Sequence, residues 1–148
     1  MEKTFLTSSH QETQEVAQNL ISKLSAGTTI CLLGELASGK TTFTQGVGLA
    51  LGISRVTSPT YMIMREYKVE SHPNIKRLFH LDLYRLNSVE EIKAFDLAEI
   101  WSDPKNLIVV EWPEKILEIL PNSHYLIYFK QTGPSQREIS IIKNNTKS

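Results

Sequence analysis

The chain is poor in the features that mark specialised protein classes. Its 148 residues include one cysteine, Cys31, so no internal disulfide can form. Lys+Arg and Asp+Glu are equal at 16 each, a formal net charge of zero. General polyanion binding needs a basic surplus, which is missing. No apolar run approaches the ~20 residues of a membrane-spanning helix. The opening "MEKTFLTSSH" lacks the long apolar centre of a secretory leader. No repeat, low-complexity segment or linker divides the sequence. These absences predict one domain, not bound to a membrane, in a reducing cytoplasm. What is present is ordinary: 41% hydrophobic and 22% charged residues, enough to build a core.

Periodicity predicts alternating strands and helices in the first half. Lys3–Thr7 reads as a strand. Ser9 with Glu12 forms a capping box ahead of Val16, Leu20, Ile21 and Leu24 at helical spacing. Thr28–Leu33 reads as a buried strand and Lys40–Leu51 as a helix, stopped by Gly52. Tyr61–Lys68 and Arg77–Tyr84 alternate as strands. Ser88 with Glu91 predicts a second capping box opening a helix of about ten residues. Leu107–Val110 is an apolar strand ending at Glu111, and Glu114–Leu120 a short helix. Tyr125–Phe129 and Arg137–Ile142, joined through "QTGPSQ", predict an antiparallel pair. The fold expected is α/β: a single domain over residues 1–142, P-loop NTPase-like in carrying Gly34-x-x-x-x-Gly39-Lys40-Thr41 between its second strand and second helix. Its mixed sheet is flanked by helices, with antiparallel strands toward the C-terminus and a disordered tail at 143–148.

The stretch "GELASGKT" has the P-loop spacing, Gly34-x-x-x-x-Gly39-Lys40-Thr41, between a buried strand and an amphipathic helix. Two glycines let the backbone turn tightly around an anion. Amide groups across Gly34, Glu35, Leu36, Ala37, Ser38, Gly39, Lys40, Thr41 and Thr42 can then face phosphates at a positive helix end. Lys40 is placed to reach the β- and γ-phosphates, Thr41 to offer a hydroxyl to Mg²⁺, and Thr42 to meet the α-phosphate.

A P-loop needs a further acid at a strand end. Glu111, closing "LIVVE", and Asp82, within "RLFHLDLYRL", are the candidates. Glu111 is expected beside the metal and Asp82 beside the attacking water, although the two roles are interchangeable at this level. Thr57, Ser58 and Thr60 in "VTSPTY" form a hydroxyl-rich, switch-like loop. Trp112 sits next to Glu111, near the nucleotide or as packing. His80 and Tyr84 share a strand face with Asp82 in structural or supporting roles. His10 and Thr13 are candidates for the base or ribose, and Arg137 for a phosphate.

Guanine-specific GTPases carry N-K-x-D, which is absent here. A small-molecule kinase usually needs an arginine-rich lid. The five arginines, Arg55, Arg65, Arg77, Arg85 and Arg137, are scattered. A kinase and a nucleotide-switched interaction module remain the alternatives to an ATPase.

"GELASGKTTFTQG", "VTSPTY", "HLDLYRL" and "VEWPE", in this order and spacing, resemble the TsaE family of bacterial ATPases. The resemblance implies slow, Mg²⁺-dependent ATP hydrolysis in support of TsaB and TsaD, which place threonylcarbamoyl on tRNA adenosine. Contact with tRNA would be only indirect, through that complex. It also implies Thr41 and Glu111 at Mg²⁺, and Asp82 near the γ-phosphate. Ala37-Ser38 departs from the Gly-Ala found in many members.

Overall fold

The computed structural model describes residues 2–35, 38–56, 63–93, 96–121 and 123–145. The phosphate-cradle positions Leu36 and Ala37 and the switch-like Thr57, Ser58 and Thr60 lie outside them. Strand β1 (Glu2–Thr7) leads into helix α1 (His10–Ser22). Ser9 caps α1 by accepting from the Glu12 amide at 3.1 Å. Glu12 reaches back past Ser9, taking the Ser8 amide at 2.7 Å. Strand β2 (Thr29–Leu33) then enters the sheet, and helix α2 (Lys40–Ala50) leaves it. Strands β3 (Met64–Lys68) and β4 (Arg77–Asp82) pair antiparallel.

The helix expected after Ser88 is two short ones, α3 (Val89–Ile92) and α4 (Leu97–Ser102). A competing cap explains the second start: Asp96 accepts from the Glu99 amide at 3.4 Å. Burial of both Ile92 and Leu97 anchors each piece separately. Strand β5 (Asn106–Glu111) follows, then the short helix expected at Glu114–Leu120, which is a 3₁₀ segment over Pro113–Ile119. Strands β6 (Ser123–Gln131) and β7 (Arg137–Asn145) form the expected antiparallel pair. β7 runs on past Ile142, and Asn144 pairs with His124 of β6.

All seven strands form one mixed sheet in the order β1-β7-β6-β2-β5-β4-β3. The centre is parallel, with β2 between β6 and β5, and β5 beside β4. Strands buried on both faces read as unbroken apolar runs, which is why "TICLL" and "NLIVVE" lack alternation. Helices α1 and α2 cover one face through Ala17, Ile21, Phe43, Val47 and Leu51. The shorter helical pieces cover Cys31, Phe79, Leu81, Ile108 and Val110 on the other. Burial, with the Glu114 charge adding to it, pushes the Cys31 thiol up to about 12, so it is no nucleophile at neutral pH.

Phe43 is fully buried and meets Phe129 edge-on, with ring centroids 5.4 Å apart. The pair ties the helix that carries Lys40 to β6. Phe43→Ala is expected to cost about 4 kcal/mol, read as a lowered urea midpoint at unchanged slope.

Candidate functional site

The loop from β2 to α2 is shaped by its two glycines. Gly34 has φ 151° and Gly39 φ 110°, values that side-chain-bearing residues rarely adopt. A Cβ on Gly34 would also lie 2.8 Å from the Phe129 carbonyl oxygen. α2 starts at Gly39 with no side-chain cap among the described residues, and the first amides of a helix have no acceptor within it. Ser38 Oγ is buried beside them with no hydrogen-bond partner among the described residues. Glu35 is exposed, as is Thr41, while Thr42 is half-buried.

Lys40 is only 4% exposed. Its Nζ donates to the Gly34 carbonyl at 2.7 Å and lies 3.6 Å from the centroid of the Trp112 ring. No carboxylate among the described residues forms an ion pair with it. Burial lowers the Lys40 pKa from its ordinary 10.5, and the more distant Glu111, Glu114 and Asp82 carboxylates oppose that shift. Trp112 adopts a left-handed backbone, φ 62°, which costs a non-glycine residue about 1 kcal/mol. Its ring is held by Tyr84, with centroids 5.0 Å apart. Trp112, open at the sequence level between nucleotide cover and packing, is therefore the lysine's neighbour.

Asp82 and Glu111 end adjacent parallel strands and stand opposite each other in register. Glu111 also faces Leu32 of β2, just ahead of the glycine loop. Both acids thus lie at the edge where ligands meet α/β sheets. Asp82 is half-buried and accepts from the Tyr84 amide at 3.1 Å. Glu111 is buried, and its Oε2 lies 2.6 Å from His80 Nε2. A carboxylate only accepts, so Nε2 carries the proton. Alternation alone placed His80 on the correct face but could not identify its partner on β5.

His10, Thr13 and Arg137 line one cavity of about 250 Å³ together with Gly39 and Thr42. Thr13 is buried, and its hydroxyl lies 2.9 Å from that of Thr7, so it fastens α1 to β1 at the cavity wall. Arg137 runs alongside Gly39, where a Cβ would lie 3.7 Å from its Nε. Ser8 and Ser9, just ahead of α1, also line it, and so do Pro134 and Ser135, which no motif marks. Their sequence signal is only that of a turn, and the pairing of β6 with β7 is what brings them here. Among the described residues, no group of three or more His, Cys, Asp or Glu could hold a metal ion. A divalent ion at Thr41 and Glu111 would therefore draw further oxygens from a ligand or water, as Mg²⁺ commonly does.

A family model described as "Threonylcarbamoyl adenosine biosynthesis protein TsaE" matches residues 7–139. The chain belongs to the TsaE family. Relatives described as "tRNA threonylcarbamoyladenosine biosynthesis protein TsaE" agree. That of Streptomyces coelicolor is 41% identical over 132 residues, 85% of this chain and 84% of its own. That of Bacillus subtilis is 35% identical over 132 residues, 88% and 79% of the two chains. The crystal structure of Bacillus subtilis YdiB matches with a TM-score of 0.78 at 29% identity, covering 99% of this chain and 87% of that one. The TsaE match contains every candidate site residue, from His10 to Arg137.

His80→Ala is expected to strand the Glu111 carboxylate and cost about 3 kcal/mol. His80→Ala with Glu111→Gln should cost clearly less than the sum of the single changes, in urea unfolding of all four proteins. A strictly additive result would mean the contact carries no coupling. For Lys40 the folded pKa lies below the unfolded one. Between the two values the unfolded chain binds more protons, so stability contributed here rises as pH climbs toward 10.5. Lys40→Met should lack that rise when unfolding midpoints are compared across the alkaline range.

Proposed function

We propose that this chain binds ATP with Mg²⁺ and hydrolyses it slowly, supporting TsaB and TsaD in threonylcarbamoyl modification of tRNA adenosine. The observation that carries the reading is Lys40, a buried cation resting on a carbonyl and an aromatic face beside an uncapped helix N-terminus. A buried charge without a counter-ion is costly. A polyphosphate would supply that counter-ion and accept from the amides at the helix start at once.

In this reading the chain's own groups divide the work. Amides at the start of α2 hold the phosphates, and the Lys40 ammonium turns from Gly34 toward the β- and γ-oxygens. Thr41 and Glu111 hold Mg²⁺, which when bound neutralises phosphate charge. His80 keeps the Glu111 carboxylate in one orientation. Asp82 orients water near the γ-phosphate. The cavity lined by His10 and Thr13 takes the ribose or base, Arg137 at its wall meets a phosphate, and the absence of N-K-x-D favours adenine. Turnover would reset or license the partner complex rather than drive the transfer, with tRNA met only through that complex. The family's role in tRNA modification and the lack, among the described residues, of a helix able to cross a membrane suit a cytoplasmic setting.

Calorimetry should show heat from ATP with the native chain and none with Lys40→Ala. Glu111→Gln should bind ATP within a few-fold of native, with Mg²⁺-dependent phosphate release down at least ~100-fold. Release should rise when TsaB and TsaD are added. Normal hydrolysis by Glu111→Gln would move the metal role to Asp82. No heat from ATP, ADP or GTP with the native chain, with or without Mg²⁺ or the partners, would end the reading.

A further inference from the structure

A second concavity lies at the other end of α1. The first turn of α1 lines the cavity beside Gly39, whereas its later turns, through Val16 and Leu20, line a separate groove of about 160 Å³. β1 repeats the arrangement, since Thr7 meets Thr13 at the first cavity and Phe5 lies in the second. Ile141 completes the apolar lining. The space is close to that of a cavity able to hold a benzene-sized group. One leucine- or phenylalanine-sized side chain fits it.

The rim is of one sign. Lys3, Lys23 and Lys143 all border the groove and all are exposed. None forms an ion pair among the described residues, although Lys68, Arg77 and Lys93 do so elsewhere. In a chain of zero formal net charge, three unmatched cations around one apolar hole are a local departure. Register explains their meeting: Lys3 stands opposite Ile141, and Lys143 opposite Tyr125.

We propose that this groove docks an acidic segment of a partner protein, with one apolar side chain in the hole and flanking carboxylates on the three lysines. Charge complementarity selects this occupant. A second copy placed symmetrically would set lysines against lysines. RNA fits less well, because Lys143 Nζ already lies 5.7 Å from the Tyr125 ring centroid, over the face a base would stack on. The inference is independent of the nucleotide reading.

The test uses the full chain and a fluorescein-labelled peptide with one central leucine flanked by glutamates on both sides. Anisotropy should saturate. Affinity should fall about tenfold with Lys3→Glu/Lys23→Glu, fall with peptide Leu→Ser, and weaken with salt. Lys143→Gln should act in the same direction to a smaller extent. Circular dichroism checks that the variants fold, and ATP calorimetry on them should match the native chain, which separates this proposal from the nucleotide site. Equal binding by native and reversed chains, or indifference to peptide Leu→Ser, would overturn it. So would absence of saturation, preferential binding of oligouridylate, or sedimentation showing that the groove is buried in a dimer.

Discussion

A single buried positive charge organises one edge of this molecule. The Lys40 ammonium sits where water scarcely reaches, and the described residues offer it a carbonyl oxygen and a tryptophan face in place of a carboxylate. Each contact has a structural cost nearby. Gly34 turns its carbonyl toward the lysine only at a backbone angle that excludes most residues, and Trp112 reaches the lysine from a left-handed conformation. Acids lie near enough to oppose the lowering of the lysine's pKa without pairing with it, so the charge remains available to another anion.

The parallel centre of the sheet makes this possible. β2, β5 and β4 run the same way, so the glycine loop, Glu111 and Asp82 emerge along one edge in a fixed order. The registers set the spacing between elements, and no loop has to do so. His80 adds the last restraint from beneath, buried and bonded to Glu111. The antiparallel β6–β7 pair brings Arg137 and the turn before it to the same edge from the far end of the sequence.

Much of this was legible in the sequence because the signals are local. The glycine spacing, the apolar run closing at Glu111 and the alternation around Asp82 each need only a few neighbouring residues. The Ser9 cap was readable for the same reason, and the Ser88 helix misled because Asp96 supplies a second cap inside the expected span. What escaped is long-range. His80 and Glu111 are 31 residues apart, and nothing local joins them. Pro134 and Ser135 read as an ordinary turn until β7 is placed against β6. The end of β7 was drawn short because its partner residues in β6 carry no local mark.

The strand order has a further meaning for how the chain is made. Of the strands described, β1 is made before the others and is paired with β7 alone, the last of the seven to be made. β2 likewise waits for β5 and β6 on its two sides. Contacts this distant must close large loops before they add stability, so the sheet is completed only once its C-terminal strands are available. A nascent chain stalled before β7 would hold the entire glycine loop and both acids, yet lack the strand that seals its first one into the sheet.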